Sequence, residues 1–133
     1  MKVDGRCHCG HIRYEAEIDP GTVSVCHCTD CQTLTGTAYR VNVPASAQNL
    51  AFLSGTPKIY VKTAESGNRR AQGFCADCGT PLYSADAQDP RVYFLRVGTL
   101  SQRAELPPTR QIWCQSALPW TSDIRNLAAS ERA

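Results

Sequence analysis

The chain has 133 residues, a length that suits one domain around one core. Apolar residues make up 42% and charged residues 20%, a globular balance that excludes a disordered chain. The net charge of +2 comes from 14 basic and 12 acidic residues, and the longest basic run is Arg69-Arg70, which argues against the basic patch that non-specific nucleic-acid binding needs.

Ile12, Tyr14, Ala16 and Ile18 alternate with polar partners, the period of a half-buried strand over residues 11–18. Asp19-Pro20-Gly21 predicts a turn, after which Thr22 to Val25 resume extended structure. Further strand-like runs are Tyr39–Val43, Lys58–Val61, Val92–Val97 and Gln111–Cys114. Turn signals between them are Pro44, Ser54-Gly55-Thr56-Pro57, Gly67-Asn68, Asp89-Pro90 and Pro107-Pro108. Helical signals are few: Thr29–Thr35 with Thr29 as N-cap, one turn at Ser46–Leu50, and a frayed segment at Asp123–Arg132. The expectation is a mainly β, small single domain over residues 1–133, an antiparallel zinc-binding fold with few short helical turns.

No apolar stretch approaches the ~20 residues that span a bilayer, and the opening Met-Lys-Val-Asp-Gly-Arg-Cys has no apolar leader segment. The expected location is cytoplasmic, where thiols stay reduced, so the eight cysteines point to metal or catalysis instead of disulfides. Seven of them form three clusters: Cys7-His8-Cys9-Gly10, Cys26-His27-Cys28-Thr29-Asp30-Cys31 and Cys75-Ala76-Asp77-Cys78-Gly79. Two thiolates one or two residues apart can reach one zinc ion from a tight turn, and zinc takes four tetrahedral ligands. A glycine directly after the second cysteine lets that turn adopt a positive φ and aim backbone N–H groups at sulfur. The first and third clusters share this ending, which pairs Cys7, Cys9, Cys75 and Cys78 as a closed structural zinc site. Cys26, Cys28 and Cys31 remain as a three-thiolate set with an open position, the arrangement of a catalytic zinc. His27, His8 or His11 could close that set, although His27 and His8 each sit between two ligands on an extended backbone and are poorly placed to reach the same ion.

Zinc held by three thiolates carries a charge near −1. Such a centre activates water weakly, yet it can hold an incoming thiol as a nucleophilic thiolate. The chemistry expected is therefore sulfur chemistry on a small thiol. Cys114 reads as a small buried hydrophobe, and Trp113 and Trp120 as core aromatics. Arg69 and Arg70 read as a solvated turn, with a grip on a substrate carboxylate as the functional alternative. His27 is a candidate acid–base group by adjacency alone.

The ordered series Cys7-His8-Cys9-Gly10, Cys26-His27-Cys28 through Cys31 to Gly36, and Phe74-Cys75-Ala76-Asp77-Cys78-Gly79-Thr80-Pro81-Leu82 resembles the glutathione-dependent formaldehyde-activating enzymes, whose domain also occurs in centromere protein V. Gly98-Thr99-Leu100, Ile112-Trp113 and Pro119-Trp120 resemble the family's closing segments, and the likeness spans about residues 3 to 120. It implies a small β fold with structural zinc on Cys7, Cys9, Cys75 and Cys78 and catalytic zinc on Cys26, Cys28 and Cys31. The implied activity is that of a carbon–sulfur lyase, which in reverse joins glutathione to formaldehyde as S-(hydroxymethyl)glutathione. Gln111 and Ser101 stand where the family commonly has histidine and aspartate, a departure that bears on substrate choice. The alternatives are a non-catalytic zinc-binding interaction module and a redox switch at Cys28-x-x-Cys31.

Overall fold

The computed structural model describes residues 1–133. Ile12, Tyr14, Ala16 and Ile18 are all buried; Tyr14 and Ala16 lie in β2 (Arg13–Glu17), with Ile12 and Ile18 at its two ends, and β2 lies between β1 (Lys2–Arg6) and β5 (Leu50–Ser54) in a three-stranded antiparallel sheet. The second sheet has seven strands: β3 (Ser24–Cys26), β4 (Arg40–Ser46), β6 (Lys58–Thr63), β7 (Arg69–Phe74), β8 (Pro81–Asp86), β9 (Val92–Arg96) and β10 (Arg110–Ile112). Their order is β10-β3-β4-β9-β8-β7-β6. The one α-helix, α1 (Thr29–Thr35), connects β3 to β4.

A single hydrophobic cluster joins the sheets, with Val3, Tyr14 and Ile18 from the small sheet and its flank against Val43, Leu82 and Leu95 from the large one. Phe52 links the layers: its ring centroid lies 5.8 Å from that of Tyr14 and 5.9 Å from that of Tyr83. Tyr83 in turn meets Tyr93 edge-on at 4.8 Å. Tilted and edge-on packing of this kind suits the aromatic quadrupole.

Several expectations need correction. The large sheet is mixed, because β10 pairs with β3 in parallel while every other pairing is antiparallel. Pro44 does not break the chain; it lies inside β4 opposite Phe94, beyond the last residue paired to β3. A strand tolerates proline where it has a neighbour on only one side. The N-cap of α1 is Cys28, not Thr29. The run at 123–132 makes only a short 3-10 turn at Ile124–Asn126. Arg69 and Arg70 are not in a turn but open β7, with the Arg70 guanidinium 5.5 Å from the centre of the Phe94 ring. Cys114, Trp113 and Trp120 are exposed, not core, because the chain leaves the sheet after Ile112 and continues in short turns over the surface.

Candidate metal centres and the cleft between them

The first and third cysteine clusters form two matching turns. In one, Cys7 N–H donates to Ile12 O at 3.0 Å and Gly10 N–H to Cys7 O at 3.1 Å. In the other, Cys75 N–H donates to Thr80 O at 3.0 Å and Gly79 N–H to Cys75 O at 2.8 Å. Gly10 and Gly79 have φ of 81° and 77°, the left-handed region that the cysteine–glycine ending anticipates. Thr80 ties the turns together, accepting from His8 N–H at 3.0 Å and lying 3.1 Å from Cys78 Sγ through its hydroxyl.

These turns bring the Sγ atoms of Cys7, Cys9, Cys75 and Cys78 within 4.8 Å of one another. Cys7 to Cys9 is 3.5 Å and Cys9 to Cys75 is 3.8 Å, with no disulfide among them. Four sulfurs around a zinc ion at ~2.3 Å stand ~3.8 Å apart at the corners of a tetrahedron, so the cluster can coordinate such an ion. Ile12 N–H also points at Cys7 Sγ at 3.3 Å, as the sequence reading expects.

The second cluster spans the junction of two elements. Cys26 ends β3, Cys28 caps α1, and Cys31 lies in the helix's first turn, its N–H donating to Cys28 Sγ at 3.3 Å. The three Sγ atoms lie within 4.8 Å of one another, and no histidine or carboxylate joins them. His27 is turned away: it is buried, with Nε2 2.7 Å from Gln111 Oε1 and its ring edge-on to Tyr39. Gln32 holds the same loop by donating to His27 O at 2.9 Å and Ser116 O at 3.0 Å.

Crowded thiols cannot all ionise at once. A hydrogen bond from Cys31 holds the Cys26 thiol below its ordinary value, and the same contact pushes Cys31 upward. In the four-cysteine cluster the Thr80 hydroxyl brings Cys78 down to about 5, while Cys9 is pushed up to about 12 by Cys7, against the opposing hydrogen bond from the His11 backbone. A divalent cation removes this conflict, because it stabilises every ligand as thiolate. Both donor sets therefore fit a thiophilic metal.

A cleft of about 270 Å³ lies between the clusters, walled by Leu34 and Arg40 on the side of α1 and by Phe74, Gly79 and Pro81 on the other. Two buried arginines line it, Arg40 and Arg96. Arg96 Nη1 donates to Asn42 Oδ1 at 2.6 Å and Nη2 to Gln72 Oε1 at 2.8 Å. Burial, followed by repulsion from Arg40, holds the Arg96 guanidinium below its ordinary value. Sequence reasoning passed over both residues, since an arginine alternating with apolar residues in a strand normally marks the solvent side. The signal available for Arg40 was the alternation Arg40-Val41-Asn42-Val43, which sets an arginine and an asparagine on one face of the strand, and the pairing of β3 with β4 makes it the face of Cys26.

The chain matches the family model described as glutathione-dependent formaldehyde-activating enzyme over residues 2–116. It is 26% identical over 115 residues to a Halomonas elongata protein carrying the provisional name glutathione-dependent formaldehyde-activating enzyme, covering 83% of this chain and 73% of that protein. It is 31% identical over 98 residues to an uncharacterized lyase of Schizosaccharomyces pombe, covering 69% of this chain and 64% of that protein. A crystal structure of a Rhodobacter sphaeroides protein shares the fold, with a TM-score of 0.63 at 20% identity over 81% of this chain and 98% of that one. With the ordered cysteine clusters and a family match across most of its length, the chain belongs to the glutathione-dependent formaldehyde-activating enzyme family.

Proposed function

We propose that this protein is a zinc-dependent carbon–sulfur lyase-type enzyme, resembling S-(hydroxymethyl)glutathione synthase, that handles the adduct of glutathione or another small thiol with formaldehyde. In this reading Cys7, Cys9, Cys75 and Cys78 would hold a structural zinc, and Cys26, Cys28 and Cys31 would hold a second zinc that serves the substrate thiol. The observation that carries it is the convergence of three thiols with no fourth protein ligand, His27 being engaged by Gln111. The family match and the lyase name of the fission-yeast relative support the reaction class.

When bound by three thiolates, zinc supplies a weakly acidic centre that keeps a thiol as nucleophilic thiolate. The chain's own residues do the rest. Thiolate character at Cys26 is favoured by the Cys31 contact, and the Cys31 N–H to Cys28 Sγ bond orients the Cys28 donor. Leu34 and Phe74 give the adjoining cleft apolar walls, which strengthen polar contacts made inside it. His27 keeps its Nε2 on Gln111, which fixes the ring outside the set of three thiols.

The test is the rate of exchange between glutathione, formaldehyde and their adduct, followed by NMR with zinc-loaded protein. Acceleration that disappears in Cys28→Ser, with the circular dichroism unchanged, supports the proposal. Unaltered exchange together with no binding of glutathione overturns the substrate assignment and leaves a non-catalytic zinc-binding module.

A further inference from the structure

We infer that Arg40 and Arg96 form a carboxylate-binding subsite in the cleft beside the three-cysteine cluster, and that the adduct handled there carries a carboxylate close to its sulfur. This rests on the reading of the cysteine trio as the place of sulfur chemistry. It specifies a substrate feature which formaldehyde lacks.

The two arginines are 4% and 7% exposed, and both line the cleft. Neither has a carboxylate partner: the chain's salt bridges are Lys62–Asp30 and Arg91–Asp89, no acidic residue lines the cleft, and the thiols of Cys31 and Cys26 act on the pair through charge alone, without a hydrogen bond. Nε and Nη2 of Arg40 are buried without a hydrogen-bond partner, cysteine sulfur included, and Nε of Arg96 is likewise without one. A buried cation with unmade hydrogen bonds is costly and persists only for a reason. Structural need explains part of Arg96, which braces Asn42 and Gln72. It does not explain Arg40, whose free N–H groups have no acceptor in the fold.

Strand register places this pair. Cys26 is opposite Arg40 across β3 and β4, and Asn42 is opposite Arg96 across β4 and β9. Residues two apart in a strand share a face, so Arg40 and Arg96 are diagonal neighbours ~7–8 Å apart at the backbone, within reach of long side chains. Cys26 stands at the end of the same row. A guanidinium presents paired N–H donors that match a carboxylate. A thiol or adduct with its sulfur at the cysteine trio would therefore direct a nearby carboxylate onto Arg40. The carboxylate can belong to the thiol or to its carbonyl partner.

Zinc-loaded protein is titrated with mercaptoacetate, its neutral counterpart mercaptoacetamide, and propionate, while NMR follows the arginine Nε–H signals. Mercaptoacetate is expected to move the Arg40 and Arg96 signals and to bind about tenfold more tightly than mercaptoacetamide, the worth of one charge-assisted hydrogen bond. Arg40→Gln should lose that preference and Arg40→Lys retain part of it; the wild-type signals decide the matter if either variant fails to fold. A parallel arm combines β-mercaptoethanol with glyoxylate or formaldehyde, and signal movement with glyoxylate alone assigns the carboxylate to the carbonyl partner. Movement with propionate but no binding of mercaptoacetamide keeps the subsite and removes the reading of the cysteine trio. Nε–H signals unmoved by every carboxylate, equal affinities for the charged and neutral thiols with no glyoxylate effect, or a preference that survives Arg40→Gln overturns the subsite.

Discussion

His27 and Gln111 are joined by a 2.7 Å contact between Nε2 and Oε1, across the parallel pairing of β3 and β10. His27 N–H also donates to Ile112 O at 3.1 Å. The ring contact holds the imidazole out of the cysteine trio and the backbone contact fixes the chain that carries it, so a residue flanked by two candidate ligands does not become a fourth. Gln111→Leu removes the acceptor and leaves a buried ring nitrogen unsatisfied, for which the expected loss is about 1–3 kcal/mol of stability. Denaturant unfolding of the variant against wild type measures it.

The four-cysteine cluster and the trio should respond differently to loss of a thiol. Structural zinc contributes about 10–16 kcal/mol in small domains, against a net stability of about 5–15 kcal/mol for a whole domain. Cys78→Ser is therefore expected to leave an unfolded chain, as is prolonged treatment with a strong chelator, both read by loss of the folded circular dichroism spectrum. Cys28→Ser should keep the fold and lose thiol chemistry.

Much of this arrangement is legible in the sequence because its signals are local. Ile12 to Ile18 alternate cleanly, and the cysteine–glycine endings of two clusters declare turns that close on a left-handed glycine. The features missed depend on partners far away in the chain. The run Arg69–Phe74 is polar and contains glycine, and it is a strand only because β6 and β8 flank it. The parallel pairing of β10 depends on a return across the molecule that no short-range pattern encodes. Arg40 and Arg96 look like solvent-side residues until the sheet places them beside Cys26. Trp113 and Trp120 mislead in the opposite direction, since aromatic character suggests a core while the chain has already left the sheet.

Gly79 offers a test of the turn chemistry alone. Its φ is 77°, and a Cβ there would meet no atom within 4 Å. Gly79→Ala should therefore cost only the left-handed backbone penalty, about 1–2 kcal/mol, and Gly79→Asn less. Thermal unfolding with unchanged zinc content checks both variants.

Asp4 provides the pH prediction. Hydrogen bonds from Ser101, then Gln102, hold its carboxyl below the ordinary 3.8. A carboxyl with a lowered folded-state value stabilises the fold above its unfolded value, and that contribution fades as pH falls through the folded value. The stability gap between wild type and Asp4→Asn should thus be full near neutral pH and close below about pH 4. Urea unfolding across that range measures it, and a gap independent of pH would remove Asp4 from the account.

Counting zinc by native mass spectrometry tests the division of the cysteines most directly. Wild-type protein is predicted to carry two zinc ions per chain, and Cys28→Ser to carry one while remaining folded. A folded wild-type protein with a single zinc, or a Cys28→Ser variant that still carries two, would contradict the account.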